Sequence, residues 1–409
     1  MGVSITAPLT VCQLLPALNG GGVEQGTLEV AAALVRAGHR SLVVSAGGRL
    51  LPGLVAAGTQ HFTWPIGRKS PFTLRLIPRL RRLLVSEDVD ILHARSRLPA
   101  WIAWLAWRCM DPATRPHFVT TVHGLYSVSA YSAVMTRGER LIAVSGHARE
   151  YVLQQYPGVD PDQVVVIPRG VDTADYQPHY LPGNAWMAAW RQQYPELEHR
   201  YVVTLPGRVS HRKGVLDLIR IIAALKAQGI AAHGLIVGEL PAGKRGLVKE
   251  LQSAIGTAGL TASITLTGFR KDVREIMAVS GAVLSLSRQP EAFGRTVNEA
   301  LALGVPVAGY AHGGVGEQLA RHFPAGLVPP GDTGAMAERL LEWSVAPPSM
   351  QDVQVYTLPE MLDSTLALYR DLAGKPGARI SVRVTGEATA ARRLKNHRRA
   401  PPSVGPLLH

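Results

Sequence analysis

The segment GAVLSLSRQPEAFGRTVNEA, residues 281–300, contains one complete strand, loop and helix unit. Its first seven residues are apolar or small, as expected of a strand buried on both faces of a sheet. Two acids flank the predicted helix start near Gly294: Glu291 lies in the loop, and Glu299 lies about two turns into the helix. Parallel α/β sheets bind ligands at the carboxyl ends of their strands. The segment therefore predicts a parallel sheet with a ligand site at its edge.

The same alternation of apolar runs and helix-period segments occurs along most of the chain. The other candidate strands are residues 10–15, 41–45, 89–93, 117–123, 201–206, 235–238, 263–268 and 305–309. The pattern fades between Asp172 and Arg200, where Pro, Gly and Asn are typical of a connection. We therefore expect an α/β protein with two Rossmann-like, doubly wound parallel-sheet domains that face a central cleft.

This pattern predicts the following organisation. An N-terminal acceptor domain covers residues 1–175, a linker 176–200, a donor domain 201–350, a C-terminal helical segment 351–374 and a basic tail 375–409. Within the helical segment, Leu358 to Leu372 has the spacing of an amphipathic helix.

Length and composition agree with two buried cores. The chain has 409 residues, of which 46% are hydrophobic and 18% charged, whereas single cores stop growing at roughly 250 to 300 residues. Its two cysteines, Cys12 and Cys109, lie in apolar runs, so we expect no disulfide framework and a reducing, cytoplasmic location. Residues 1–16 lack the basic start of a signal peptide. No uncharged apolar stretch reaches the roughly 18 to 20 residues that span a bilayer.

Positive charge is concentrated in two places. The net charge is +13, and residues 375–409 contain eight Lys or Arg against one acid, which gives +7. A second basic stretch, around 74–84, is rich in leucine, and Trp101, Trp104 and Trp107 follow it at three-residue spacing. A solvated tail and tryptophans packed in the core are the simple interpretations. The alternative is peripheral, salt-sensitive attachment to an anionic membrane surface at the inner face of the cell membrane, and we expect no nucleic-acid partner.

A glycine-rich turn, residues 19–26, joins the first strand to its helix. Gly21 and Gly22 let backbone N–H groups approach a phosphate at the helix N-terminus, although an ordinary tight turn has the same composition. The turn lacks the dinucleotide pattern, because Gln25 occupies the position of the third glycine. The next strand also ends without an acid for a ribose, which excludes a typical nicotinamide-dependent dehydrogenase.

Charged residues follow two strands of the second half. Arg208 and Lys213 lie on one strand-end loop, where they can converge on a diphosphate, although loop cations can also be merely solvated. Glu291 and Glu299 offer carboxylates to sugar and ribose hydroxyls, and the helix N-terminus between them favours phosphate. Helix capping and surface charge are the alternative.

One histidine and one acidic pair remain to be interpreted. His123 follows a predicted strand, where it can bind a sugar hydroxyl, move a proton or serve only the structure. Asp88 and Asp90 have the form of a metal-binding motif, but they precede their strand and so fall at the wrong end of the sheet. We predict a metal-independent reaction without cofactor, in which Arg208, Lys213 and helix dipoles stabilise the leaving group.

Together these motifs resemble the retaining glycosyltransferases of family 4 with the GT-B fold, over residues 10 to about 345. The motifs are Gly21-Gly22-Val23-Glu24-Gln25, Thr121-Val122-His123-Gly124, Gly207-Arg208 with Lys213-Gly214, and Glu291 with Glu299. The resemblance implies that catalysis depends on Glu291, Arg208, Lys213 and His123. It implies a donor site built from Gly21, Gly22, Arg208, Lys213, Glu291, Phe293, Gly294, Arg295, Thr296 and Glu299.

The resemblance also implies a substrate class. Residues 93–104 and 131–138 are similar to transferases that build lipopolysaccharide core or related envelope glycans, with Arg95 and Arg97 as acceptor ligands. A hexosyltransferase acting on a lipid-linked or saccharide acceptor is therefore expected. Its nucleotide-sugar donor, UDP- or GDP-linked, stays open, and no protein nucleophile is implied. The alternatives are a sugar-nucleotide epimerase or phosphorylase of the same fold, and a sugar-binding protein without catalysis.

Overall fold

The N-terminal half of the chain forms a seven-stranded sheet with helices on both faces. The structure is a computed structural model that describes residues 7–240, 243 and 245–374. The elements of this half are β1 (Thr10–Leu14), α1 (Gly22–Arg36), β2 (Arg40–Ser45), α2 (Leu51–Ala56), β3 (Gln60–Thr63), α3 (Leu76–Ser86), β4 (Ile91–Ala94), α4 (Arg97–Arg108), β5 (His117–Val122), β6 (Arg140–Ala143), α5 (Gly146–Gln155) and β7 (Val164–Val166).

The second half repeats this design with six strands. Its elements are α6 (Asn184–Gln193), β8 (Tyr201–Pro206), α7 (Val215–Ala227), β9 (Ala232–Val237), α8 (Arg245–Thr257), β10 (Ile264–Gly268), α9 (Val273–Ala278), β11 (Ala282–Ser285), α10 (Arg295–Ala302), β12 (Val307–Tyr310), α11 (Gly313–His322), β13 (Leu327–Val328), α12 (Thr333–Val345) and α13 (Leu358–Leu372).

Both sheets are parallel and doubly wound, as the sequence predicts. The strand orders are β3-β2-β1-β4-β5-β6-β7 and β10-β9-β8-β11-β12-β13, and every strand pair is parallel. Strands such as β1 and β9 are buried along their whole length, which explains their continuous apolar sequences. The order in which strands are added to the sheet reverses between β1 and β4 in one sheet and between β8 and β11 in the other. Ligands of doubly wound sheets bind in the crevice at such switch points.

The predicted linker, residues 176–200, contains a helix that the sequence analysis did not anticipate. Within α6, Trp186 stacks on Trp190 with ring centroids 5.1 Å apart, and Trp190 packs onto the C-terminal domain with Leu235 and Ile276. The Pro and Gly that indicate a connection precede this helix instead of interrupting it.

Two crossing segments and one helix join the domains. Val171 and Thr357 form a parallel bridge between the outgoing and the returning chain, and Gly170 passes so close to Thr357 that a Cβ would lie 2.2 Å from its carbonyl oxygen. Beyond this crossing, α13 occupies the residues predicted for the last helix. Its apolar face packs onto the N-terminal domain, where Leu366 and Tyr369 join the core beside β1. The basic tail, 375–409, lies outside the described residues.

Candidate active site

The two switch points bring most of the predicted site residues to the carboxyl edges of the two sheets. The glycine loop and Arg95 follow β1 and β4, whereas the loops with Arg208 and Glu291 follow β8 and β11. Because each pair of strands is adjacent in its sheet, their loops lie side by side at the carboxyl edge. Contacts of Ser145, Glu317 and Arg295 with the opposite domain show that these edges face each other.

The glycine loop has the backbone geometry of an anion-binding turn. Gly21 precedes α1 with φ +141°, a conformation that L side chains rarely adopt, and both Gly21 and Gly22 are exposed. The first N–H groups of α1 have no partner within the helix. Arg169 fixes the loop, because its Nη2 donates to the carbonyl oxygen of Gly22 at 2.8 Å. The same Nη2 packs against Gly26, where a Cβ would lie only 1.6 Å from it. The loop can therefore present N–H groups to a phosphate.

Lys213 and Glu291 form an ion pair at the centre of the C-terminal edge. Lys213 Nζ lies 2.6 Å from Glu291 Oε1, which also accepts a hydrogen bond from the Ser287 hydroxyl. Burial raises the pKa of Glu291, but the charge and hydrogen bonds of Lys213 and Ser287 outweigh burial and leave this pKa below its usual value. Glu291 is therefore ionised at neutral pH, and both of its side-chain oxygens act only as hydrogen-bond acceptors.

Backbone contacts fix the Glu291 loop from both domains. The Glu291 carbonyl accepts from Gly314 N–H of α11 at 2.7 Å, and the Ala292 carbonyl accepts from the Ser145 hydroxyl of the N-terminal domain at 2.5 Å. Gly314 is required here, since a Cβ would lie 2.4 Å from the Ala292 carbonyl oxygen. The position of the acid thus depends on the relative position of the two domains.

A carboxylate of α11 caps the N-terminus of α5. Glu317 accepts hydrogen bonds from Gly146 N–H at 2.9 Å and from His147 N–H at 2.7 Å. Acidic groups stabilise helix N-termini because the unpaired N–H groups carry partial positive charge. This contact stabilises the arrangement in which the domains meet.

Arg208 and Arg212 differ from Lys213 in their contacts. Arg208 is exposed and has no hydrogen-bond or ion-pair partner within the described residues, so its guanidinium is available to a ligand. Arg212 is also exposed, and its Nη2 donates to the Pro290 carbonyl at 3.4 Å. A diphosphate near Lys213 therefore finds a free cation on the same loop.

Arg295 joins the second glutamate to an acid of the opposite domain. Its Nε lies 2.8 Å from Glu299 Oε1, and its Nη2 lies 3.0 Å from Glu29 Oε1 on α1. Burial raises the pKa of Glu299 and the charge of Glu29 adds to the increase, although Arg295 opposes it. Thr296, in the first turn of α10, is half-buried, and its hydroxyl has no partner among the described residues.

The cleft beside Arg295 has a volume of about 700 Å³. Its lining residues are Gly21, Gly22, Gln25, Leu28, Glu29, Ala32, Arg36, Gly53, Leu54, Ala57, Asp172, Asp175, Tyr176, Arg295, Glu299, Leu358 and Leu362. It contains the glycine loop and the predicted ribose ligand Glu299, whereas Lys213 and Glu291 do not line it. The cavity and the Lys213–Glu291 ion pair therefore occupy different parts of the region between the two sheet edges.

His123 follows β5 at the carboxyl edge, as predicted. Burial lowers its pKa well below the usual value, and the positive charges of Arg169 and Arg95 lower it further. The imidazole is therefore neutral near pH 7. Its Nε2 is buried without a hydrogen-bond partner in the described part of the chain, which leaves this nitrogen for a ligand.

The structure corrects two of the predicted ligands. Arg95 is only 2% exposed, and its Nε donates to Gln13 Oε1 at 2.7 Å, so it cannot reach an acceptor from this position. Phe293 has its ring buried among core residues of the N-terminal domain, and its carbonyl accepts from the Gln318 amide, so the ring is not available to a ligand. Arg97, by contrast, is half-buried at the start of α4, with its guanidinium 4.8 Å from the Tyr126 ring centroid.

The acidic pair Asp88 and Asp90 lies where the sequence places it. Asp90 directly precedes β4, and its carboxylate accepts from Thr10 N–H at 2.8 Å, at the amino ends of the strands. It therefore belongs to the edge opposite the cleft. Within the described residues, no group of three or more His, Cys, Asp or Glu is arranged to hold a metal ion.

Sequence reasoning missed three residues that the structure brings to the domain contact: Glu29, Ser145 and Glu317. No spacing rule identifies them, because each lies on a helix or a cap whose other residues are ordinary. The only signal for Glu29 is an acid on the face of α1 that also bears Gln25 and Leu28, and this face becomes a cleft wall only when the second domain is present.

Comparison with known proteins gives family matches over both halves. Residues 20–175 match the model of Glycosyltransferase Family 4, and residues 187–356 match Glycosyl transferases group 1. The chain is 26% identical over 320 residues to one subunit of the human phosphatidylinositol N-acetylglucosaminyltransferase, and this match spans 74% of this chain and 61% of that protein. It is 24% identical over 342 residues to the N-acetyl-alpha-D-glucosaminyl L-malate synthase of Bacillus anthracis. This match spans 80% of this chain and 85% of that protein.

Solved structures share the whole fold. A glycosyltransferase of Rickettsia africae superposes with a TM-score of 0.80 and 27% identity, over 90% of this chain and all of that one. HepE of Anabaena, solved in complex with UDP and glucose, gives a TM-score of 0.72 at 20% identity, over 89% of this chain and all of that one. The predicted GT-B architecture is thereby confirmed.

Proposed function

We propose, from the premise that this chain belongs to the family 4 glycosyltransferases of GT-B fold, that it transfers a hexosyl group from a nucleoside-diphosphate sugar to a lipid-linked or envelope saccharide. The observation that carries the proposal is the Lys213–Glu291 ion pair at a switch point, on the edge that faces the glycine loop of the other domain. A cation for the diphosphate and an ionised acid for the sugar stand in contact there.

In the proposed reaction the bond between the anomeric carbon and the diphosphate oxygen breaks as the acceptor oxygen attacks. Arg208, Lys213 and the N–H groups of the glycine loop stabilise the negative charge of the leaving diphosphate. Glu291 orients the sugar through its hydroxyls, and neutral His123 offers a hydrogen-bonding nitrogen beside it. The acceptor proton passes to a diphosphate oxygen on the same face, which gives retention without a protein nucleophile and without a metal ion.

Donor binding is the first prediction to test. We expect UDP or GDP to raise the thermal midpoint of the protein, and UDP is the first candidate because HepE was solved with it. At 100 times its dissociation constant a ligand adds about 2.7 kcal/mol to the free energy of unfolding. A thermal-shift screen over UDP, GDP, ADP and their sugars measures this.

The product distinguishes transfer from the alternatives. Incubation of the best donor with and without acceptor should release nucleoside diphosphate and extend the acceptor only when both are present. An epimerase would change the sugar without an acceptor, and a phosphorylase would require phosphate. No stabilisation by any nucleoside diphosphate would contradict the proposal.

We propose a lipid-linked acceptor because the outer surface near α3 combines cations with exposed apolar side chains. Arg75, Arg79, Arg81 and Arg82 are all exposed, and Phe72 is 68% exposed next to them. Pro78 does not break α3, because the helix begins at Leu76 and the proline lies in its first turn. Within the described chain, no helix is long and apolar enough to cross a bilayer.

The tryptophans of α4 contribute less to this surface. Trp107 is buried, and its indole N–H donates to the Pro116 carbonyl at 2.7 Å, so it packs in the core. Trp101 and Trp104 are half-buried and meet edge to face, and Arg108 lies over Trp104 at 4.9 Å.

Peripheral binding is expected to be electrostatic and reversible. Basic residues near an anionic surface contribute about 1 kcal/mol each, so the protein should sediment with vesicles that contain anionic lipid at low salt and be released at high salt. The double variant Arg81→Glu/Arg82→Glu should bind at least about 30-fold more weakly, since loss of two such residues costs about 2 kcal/mol. The control, Lys226→Glu/Lys249→Glu, makes the same charge change on the C-terminal domain and should bind like the wild type. Equal loss in both doubles, or binding unaffected by salt, would exclude this face.

Acceptor choice is tested on the same vesicles. A truncated lipopolysaccharide core and phosphatidylinositol, offered separately with the selected donor, distinguish the envelope acceptor that the sequence resemblance implies from the lipid in the name of the human relative.

A further inference from the structure

Glu29 of α1 is a buried acid, and one of its two carboxylate oxygens has no hydrogen-bond partner among the described residues. Its side chain is 9% exposed, and Oε1 accepts from Arg295 Nη2 at 3.0 Å. Oε2 is buried and has no hydrogen-bond partner among the residues that the structure describes. A carboxylate oxygen accepts hydrogen bonds only, and one buried without a donor is destabilising. This oxygen therefore lacks a hydrogen-bond donor among the described residues.

A hydrogen-bond donor for this oxygen can come from the cleft, because Glu29 lines the cleft together with Arg295 and Glu299. Arg295 uses Nε for Glu299 and Nη2 for Glu29. These two groups lie on one edge of the guanidinium fork and point in nearly the same direction. The two carboxylates, one from each domain, are thus side by side, with a cation already between them. A bound metal ion would be repelled by Arg295, whereas a neutral group with two adjacent hydroxyls matches the two acids.

We propose that Glu29 is a ligand of the donor ribose, contributed by the N-terminal domain, and that it accepts one hydroxyl of the vicinal diol while Glu299 accepts the other. The inference rests on the proposed function, since it requires a ribonucleotide donor. It adds a residue from the opposite domain to a ribose site that the sequence places in the C-terminal domain alone. A diol held in this way bridges the domains, so donor binding favours their contact.

The experiment compares UDP with 2′-deoxy-UDP and 3′-deoxy-UDP, or the same series on the base that the thermal screen selects. Dissociation constants are measured by calorimetry for the wild type, Glu29→Gln, Glu29→Ala and Glu299→Gln. In Glu29→Gln the amide oxygen can keep the hydrogen bond from Arg295. The NH₂ group then occupies the position of Oε2. The wild type should lose about tenfold in affinity for each missing hydroxyl, the loss typical of a hydrogen bond to a charged group.

We expect both Glu29 variants to bind UDP more weakly. Glu29→Ala should become insensitive to one of the two deoxy substitutions, whereas Glu29→Gln, whose NH₂ can donate to the same hydroxyl, should keep only a reduced penalty for it. Glu299→Gln should show a reduced penalty for the other hydroxyl, for the same reason. Glu150→Gln, an exposed acid of α5 in the same domain, is the control and should behave like the wild type.

Each other outcome has a definite meaning. The proposal is wrong if both Glu29 variants keep the full affinity penalty for both missing hydroxyls while Glu299→Gln shows a smaller penalty for one of them. The proposed function stands in that case. If the wild type binds no nucleoside diphosphate, both are wrong. A Glu29→Ala protein that fails to fold leaves the decision to Glu29→Gln, which keeps the volume and the Arg295 contact.

Discussion

Replacement of Lys213 by alanine is expected to lower kcat by about 10² to 10³-fold while the fold persists. The lysine has two roles in the site, since it supplies positive charge for the leaving diphosphate and holds Glu291 through a 2.6 Å contact. Removal of one preorganised donor for developing negative charge costs about 2.7 to 4 kcal/mol of barrier. Initial rates of nucleotide release at saturating donor measure the effect.

The control for Lys213 is its neighbour. Arg212→Ala removes an exposed cation whose only hydrogen bond within the described residues is a 3.4 Å contact to a backbone carbonyl, and it should retain most of the activity. Arg208→Ala, which removes the free cation of the same loop, should lose nearly as much as Lys213→Ala. Wild-type turnover in both the Lys213 and the Arg208 variants would contradict the assigned diphosphate site.

Glu291→Ala should abolish measurable transfer and leave nucleoside-diphosphate binding unchanged or tighter. The proposed contact of this acid is to the sugar, so its loss removes orientation of the reacting group. It also frees Lys213 from its ion pair, which increases the positive charge available to the diphosphate. Single-turnover assays and UDP calorimetry on the same preparation separate the two effects.

Glu338→Ala removes an exposed acid of α12 and serves as the control for charge and handling. A variant at Glu291 that loses UDP affinity in parallel with activity would show that this acid binds the nucleotide, and the role assigned to it would be wrong.

The parts of this protein that the sequence predicts are those specified by local pattern. Continuous apolar strands and their helices indicated two parallel sheets, and the rule for strand ends placed Lys213, Glu291 and His123 at the same edges. These predictions depend on the period of each element and on its position after a strand. Both properties can be read without knowing which surfaces meet.

Contacts between residues that are far apart in the sequence could not be predicted in this way. Arg95 follows a strand at the expected edge, yet Gln13 binds it and the packed core covers it. Phe293 lies in the predicted donor loop, but its ring fills a hydrophobic contact with the other domain. Glu29 and Glu317 acquire their partners only because α1 and α5 face the second domain. For Arg95, Glu29 and Glu317 the decisive neighbour is more than 80 residues away in the chain.

The packing of α13 onto the N-terminal domain affects how the chain folds during synthesis. Synthesis proceeds from the N-terminus, and domains usually fold as units while they emerge. Here the first domain leaves the ribosome without Leu366 and Tyr369, which complete its core. The apolar groove beside β1 and α1 therefore stays open until the whole second domain has been translated. We therefore expect the N-terminal half alone to expose this apolar groove during synthesis, and a stop codon anywhere before α13 would leave the groove uncovered.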